Sequence, residues 1–144
     1  MPNRPVLSVI QGQTLVTVSP DHTVIEAARV MTGNRCGAVP VMDGTDLVGI
    51  FTERDIMSRV VAAGRDPAKV RVATVMTRDP ATIAPDRPVI HALHIMDEGG
   101  FRHLPVLQGR KLVGMMSIRD AIGREIEMFE QDCLEKEAIA EILA

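Results

Sequence analysis

The sequence predicts a mixed α/β (α+β) fold: two β-α-β-β-α repeats packed about a pseudo-twofold axis, with a C-terminal helix. Three observations lead there. Residues 17–55 and 82–120 align without a gap at a constant offset of 65, with 15 of 39 positions identical, where average residue usage supplies about two or three. Each copy holds two apolar runs around a glycine-bearing turn, the pattern of a β-hairpin. Ahead of each hairpin lies an apolar stripe at helical spacing. Neither copy has enough apolar faces to close a core alone, so the two should pack against each other.

Taken in order, Thr17-Val18 and Thr82-Ile83 are short β-prone segments, each closed by a Pro-Asp step that ends a strand. A helix follows. In the first copy Thr23-Val-Ile-Glu26 has the form of a capping box ahead of the stripe Val24, Ala27, Ala28 and Met31, with hydroxyl and carboxylate placed to satisfy orphan backbone donors. In the second, Pro88 stands where helices accept proline, before Val89, Ala92, Leu93 and Met96. The hairpins come next: Ala38–Met42 with Asp46–Ile50, and His103–Leu107 with Lys111–Met115. A second helix should start after Thr52 and after Ser117.

Residues 64–80 are Pro/Gly-punctuated around the apolar stretch Val70–Met76 and read as a connector. Beyond Asp120 the second helix is expected to run on, with Ile122, Ile126, Phe129 and Cys133 forming a one-sided seam. Such an exposed stripe seeks a partner. The resulting division is 6–66 for the first repeat, 67–130 for the second and 131–144 for the C-terminal helix extension.

Composition removes several classes. A chain of 144 residues can bury roughly 70% of its unfolded surface, so it needs neither metal nor disulfides to fold. A formal charge of −3 and the absence of Trp and Tyr argue against nucleic acid, which asks for a basic footprint and stacking platforms. No uninterrupted apolar run approaches membrane-spanning length, and the start Met-Pro-Asn-Arg-Pro lacks the apolar centre of a secretory signal, so no membrane association and a cytoplasmic location are expected. Cys36 and Cys133 form no Cys-x-x-Cys pair and read as reduced thiols. His91 and His94, three apart near Asp97 and Glu98, fit a solvent-facing helix better than a metal site. Cys36 near His103 has no recognisable base or oxyanion hole beside it, so an enzyme is not expected.

The most informative residues close each copy: Gly49-Ile-Phe-Thr52-Glu-Arg-Asp55 and Gly114-Met-Met-Ser117-Ile-Arg-Asp120. Each places a strand end against a helix start carrying a hydroxyl and, three residues on, a carboxylate. Unpaired N–H groups there favour an anion, and a nearby carboxylate can accept from a ribose diol. The same spacing also makes an ordinary capping box that needs no ligand.

With its repeat, its Pro-Val hairpin strand and its Gly-h-h-Ser/Thr-x-x-Asp endings, the chain resembles a tandem pair of cystathionine-β-synthase (CBS) domains, a Bateman module, over about residues 6–130. The resemblance implies a non-enzymatic regulatory module with no obligatory cofactor. Its ligands would be adenosine compounds (AMP, ADP, ATP, NAD(H) or S-adenosylmethionine) held in clefts between the repeats. It also implies a homodimer acting on some other, regulated protein. By the same resemblance Asp55 and Asp120 would hold the ribose diol, and Thr52 and Ser117 would face ribose or phosphate. Thr17, Val18, Thr82 and Ile83 would border the base, with Val39 and Leu104 on the strands entering Pro40 and Pro105. The copies are unequal. Arg102 and His103 precede Pro105 where Gly37 and Ala38 precede Pro40, so one stronger site is expected around Arg102, His103, Arg119 and Asp120, unless Arg35 or Arg54 turns inward in the first copy. The competing expectation is a ligand-free dimerisation module whose motifs only cap helices.

Overall fold

The structure, a computed structural model, describes residues 4–144; residues 1–3, the first part of the start sequence considered above, lie outside the described residues. The chain passes through α1 (Val6–Ile10), α2 (Val24–Gly33) and a hairpin of β1 (Ala38–Asp43) and β2 (Asp46–Thr52). Helix α3 (Glu53–Asp55) follows and continues as a π-helical stretch over Ile56–Val61, before α4 (Val72–Val75) and β3 (Thr77–Arg78). The second half holds α5 (Val89–Gly99), a hairpin of β4 (His103–Gln108) and β5 (Lys111–Ser117), a 3-10 turn (Ile118–Asp120) and α6 (Gly123–Leu143).

Local chemistry explains these elements. The Thr23 hydroxyl accepts from the Glu26 N–H at 3.2 Å and Glu26 Oε1 accepts from the Thr23 N–H at 3.4 Å, completing the expected capping box of α2. Both hairpins are antiparallel and share their register, from Ala38 opposite Thr52 and from His103 opposite Ser117, with a shift at the equivalent Val41/Met42 and Val106/Leu107 steps. Gly44 and Gly109 supply the positive φ of the turns, 61° and 64°. Val18 and Ile83 each make a single parallel bridge, to Val41 and Val106. The duplication therefore holds down to individual irregularities.

Two cores result, and each is completed from outside its own repeat. Val72, Val75 and Met76, which precede the second aligned segment (82–120), join Val24, Met31, Val41 and Phe51 of the first half. Val6 and Ile10, which precede the first aligned segment (17–55), join Val89, Met96, Val106 and Met116 of the second half. Glycines make room for these visitors: a Cβ at Gly49 would meet Met76 Sδ at 2.5 Å and the Thr77 carbonyl at 2.9 Å, and one at Gly114 would meet Ile10 Cβ at 2.7 Å. The connector is thus more ordered than its composition suggested, since its last residues, as β3, pair with Gly49 and Ile50 of β2.

The helix expected to run on past Asp120 does not. After the 3-10 turn, Ala121 and Ile122 are extended, with ψ of 139° and 169°, and α6 begins only at Gly123, a poor helix former. The break is bridged by a long-range contact. Arg4 Nε donates to Glu125 Oε1 at 2.8 Å and Arg4 Nη2 to the Asp120 carbonyl at 2.9 Å, while Glu125 Oε2 accepts from the Ile122 N–H at 2.6 Å. Burial alone would push the Glu125 carboxyl upward; these hydrogen bonds and the Arg4 charge hold it below the usual carboxylate range. The expected seam also divides. Phe129 packs its ring 5.0 Å from that of His94 on α5, and Asp132 meets His94 Nε2 at 2.9 Å. Ile122 and Ile126 stay exposed, because a helix docked along one side can bury only the residues on that side.

Replacing Gly49 with Ala should destabilise the fold by about 1–3 kcal/mol, since the Thr77 carbonyl is backbone and cannot swing aside. Gly33→Ala, at a position with open space, should instead stabilise by up to about 1 kcal/mol. Urea denaturation of the two variants checks both signs.

Candidate functional site

A cavity of about 750 Å³ opens between the two repeats. The first half contributes the Gln13–Val16 segment, the end of α2, the Gly37-Ala38 step, Glu53 and Ile56. The second contributes Arg102 and His103 at the start of β4, Met115 on β5, and Ser117 to Asp120. Gln13 ties the halves together: its amide nitrogen donates to the Met115 carbonyl at 2.9 Å and its oxygen accepts from the Met115 N–H at 2.8 Å. The side chain thereby imitates a strand edge, joining β5 to the segment that leads into the first repeat.

Both Gly-h-h-Thr/Ser-x-x-Asp endings form caps, yet their surroundings differ. Thr52 N–H donates to Asp55 Oδ2 at 2.9 Å and Thr52 Oγ1 accepts from Asp55 N–H at 3.2 Å. Asp55 is only 8% exposed, and its Oδ1 lies 3.8 Å from Arg59 Nε. Arg59 in turn donates to the carbonyls of Val75 and Met76, each at 3.0 Å. That carboxylate is built into the scaffold and does not line the cavity. Ser117 N–H donates to Asp120 Oδ2 at 2.7 Å, and Ser117 Oγ accepts from Arg119 N–H at 3.3 Å. Asp120 lines the cavity, and its Oδ1 makes no hydrogen bond or ion pair among the described residues.

Of the sequence-derived site residues, the cavity therefore gathers Arg102, His103, Ser117, Arg119 and Asp120. Thr52 and Asp55 stand apart from it, as do Thr17 and Thr82. Val18, Ile83, Val39 and Leu104 are buried core residues of the strands. Arg35 does turn inward and lines the cavity whereas Arg54 does not; Arg35 adopts a φ of 54°, a region that non-glycine residues seldom occupy. Gln13 and Glu53 were not anticipated. Gln13 lies upstream of the repeated segment, and Glu53 faces Ile118 across the repeat alignment, so no duplicated signal marked either one. Among the described residues no three His, Cys, Asp or Glu side chains converge as metal ligands; His94 is engaged by Asp132, and Cys36 Sγ contacts the Asn34 carbonyl at 3.4 Å.

Arg35, Arg102 and Arg119 face Glu53 and Asp120 around this space, three cations against two anions. Guanidiniums donate strongly to anionic oxygens, and a carboxylate oxygen accepts from hydroxyls. The cavity can thus grip a molecule bearing both groups. Burial lowers the pKa of His103 below its usual value, partly opposed by Glu53 and Asp120 and reinforced by Arg119 and Arg102.

The folded protein accordingly takes up the His103 proton less readily than the unfolded chain, whose value is near 6.5. The stability this contributes is complete above pH 6.5 and is lost as pH falls through the lower folded value. An NMR titration should find the His103 midpoint below 6.5, and His103→Gln should flatten that part of the stability–pH curve. A midpoint at or above the ordinary imidazole value contradicts the assignment.

Comparison with known proteins agrees with this architecture. The family model described as CBS domain matches twice, over residues 4–62 and 72–127. A CBS domain-containing protein of Arabidopsis thaliana, CBSCBSPB1, is 43% identical over 105 residues, covering 72% of this chain but 19% of that protein. The chain thus spans only about a fifth of that relative's length. An uncharacterized 17.7 kDa protein of Acidianus ambivalens is 40% identical, covering 79% of this chain and 69% of its own. Among solved structures, a CBS-domain containing protein from Agrobacterium tumefaciens superposes with a TM-score of 0.75 at 34% identity, over 81% of this chain and 94% of that one. No helix among the described residues is long and apolar enough to cross a membrane. With two family matches on two cores that exchange their leading helices, the chain belongs to the CBS-domain family and is a tandem CBS pair.

Proposed function

We propose that this CBS pair is a non-enzymatic sensor that binds an adenosine nucleotide (AMP, ADP, ATP or NAD(H)) in the cavity between its repeats and signals through a dimer or partner surface. Pairs of CBS domains generally act as regulatory modules. The observation that carries the finer reading is the cavity itself. It combines guanidiniums suited to phosphate with a carboxylate whose second oxygen has no partner among the described residues, and phosphate and diol are the two handles of a nucleotide. In this reading Asp120 accepts from the ribose hydroxyls, Ser117 faces ribose or phosphate, and Arg102 and Arg119 meet the phosphates. A neutral His103 donates or accepts one hydrogen bond without adding charge. Ligand that fits one packing of the two repeats better than another shifts the population toward it.

A second reading has its own support. Both caps are complete without any ligand, as a purely structural dimerisation module requires. Asp120→Asn separates the two. It keeps an acceptor for the Ser117 N–H but removes the charge, so nucleotide should bind about 10- to 100-fold more weakly, the equivalent of roughly 1.5–3 kcal/mol. The unfolding midpoint should barely move. Isothermal calorimetry with AMP, ATP and NADH makes the measurement, and absence of binding heat for the unmodified chain leaves the structural reading standing.

Self-association is supported by the repeat itself. Met57 and Val61 are 60% and 67% exposed, and their counterparts 65 residues on, Ile122 and Ile126, are 51% and 42% exposed. Large exposed apolar side chains repeated in both halves suit a self-complementary face. A related CBS-CP12 protein from bloom-forming cyanobacteria is hexameric. Sedimentation should report a dimer that Val61→Glu with Ile126→Glu converts to monomer; a monomeric unmodified chain rules this face out as a dimer contact.

A further inference from the structure

The repeat allows each polar contact in one half to be compared with its counterpart in the other. Val24 N–H donates to the Val70 carbonyl at 2.9 Å, and Val89 N–H donates to the Arg4 carbonyl at 2.8 Å. Val24 and Val89 are repeat partners, so Val70 and Arg4 occupy equivalent places. Glu125 is likewise the counterpart of Val60. The first half therefore fills this position with two packed valines, whereas the second holds an ion pair whose carboxylate is 1% exposed. A buried ion pair seldom stabilises more than a well-packed apolar pair, so stability does not account for the exchange.

The ion pair does something that valines cannot. The helix after Asp55 is continuous, but the one after Asp120 is broken at Ala121 and Ile122, which leaves the Asp120 carbonyl without a helical partner. Arg4 takes that carbonyl and both Glu125 oxygens, at 2.9, 2.8 and 3.2 Å. One guanidinium thus holds the cavity-facing turn and the first turn of α6 together. From there α6 runs to its contacts with α5 at Phe129 and Asp132.

We propose that Arg4 is a positioning residue for the cavity: through its fork to the Asp120 carbonyl and to Glu125 it couples occupancy of the cavity to the seating of α6 on α5. The inference rests on the nucleotide reading for what occupies the cavity, and coupling of this kind acts in both directions. It makes α6 the element that reports ligand to a partner.

The test uses the full chain, ATP and AMP as probes, and two readouts: affinity by calorimetry, and alkylation of the half-buried Cys133 by iodoacetamide, followed by peptide mass spectrometry. In the unmodified protein saturating ATP or AMP should slow Cys133 alkylation about threefold or more. The double variant Arg4→Val with Glu125→Val copies the first half's own solution, so it should fold. It should bind the nucleotide about tenfold more weakly and show no ligand effect at Cys133. Unchanged affinity, or ligand protection of Cys133 that persists in the variant, overturns the proposal. If the unmodified chain takes up neither probe, the nucleotide reading fails while the joint is still judged on free protein. Alkylation must then be faster in the double variant, and an unchanged rate overturns it. Should the double variant not fold, Arg4→Lys, which keeps the charge and loses the fork, is judged by the same outcomes.

Discussion

The structure depends on an exchange. Each repeat presents a hairpin and a helix whose apolar faces exceed what they can cover together, and the missing piece comes from the segment leading into the other repeat. Val6 and Ile10 fill one core while Val72, Val75 and Met76 fill the other. Burying side chains of this size is worth roughly 1.5–3 kcal/mol each, so separating the repeats would forfeit several such burials at once. The chain crosses from core to core twice, between Ile10 and Val18 and between Met76 and Ile83, and a gap remains between the halves so joined. That gap is the cavity, and Gln13 spans its edge because it sits on one of the crossing segments.

The two sequence motifs illustrate how environment decides the use of one local pattern. Thr52 with Asp55 and Ser117 with Asp120 make nearly the same cap. Asp55 is then enclosed by Arg59, which is itself committed to the carbonyls of Val75 and Met76, so this carboxylate serves the exchange just described. Among the described residues Asp120 has no such cation within ion-pair distance of its side chain. Its backbone is held from behind by Arg4, and the side chain lines the cavity. A weak helix-capping signal in the sequence thus becomes a scaffold element in one half and part of the cavity wall in the other.

Much of the fold was legible because its signals are local and occur twice. Apolar runs around Gly44 and Gly109 and a capping box at Thr23 depend only on near neighbours, and duplication separated the hairpin runs from chance. What escaped is long-range. Nothing near Ala121 announces that the helix must break there; the break is completed by Arg4, more than a hundred residues away. The exchange of α1 and α4 escaped for the same reason, since an apolar stretch such as Val70–Met76 shows that it will be buried but not against which half. Around the cavity, Arg102 and His103 were visible as departures from their repeat partners and Asp120 through the repeated motif itself, whereas Arg35 reaches the cavity through an uncommon backbone conformation that its residue type does not favour.

Several polar differences between the halves gather at one place. Gly37 and Ala38 become Arg102 and His103, and Val60 with Val70 becomes Glu125 with Arg4. Glu53 stands where the second half has Ile118. All of these polar positions lie at one cavity or directly behind its turn. A physical reason favours such clustering. A single charge placed in an apolar core is costly, but charges and donors brought in together satisfy one another, and each added group lowers the cost of the next. Once the Asp120 turn had a guanidinium behind it, the broken helix left no orphan carbonyl, and the cavity wall could accept further guanidiniums without isolating any charge. In the opposite half Asp55 lies against Arg59 and does not line the cavity. Duplication supplied two equivalent motifs, and polar groups gather around the one whose carboxylate, Asp120, lines the cavity.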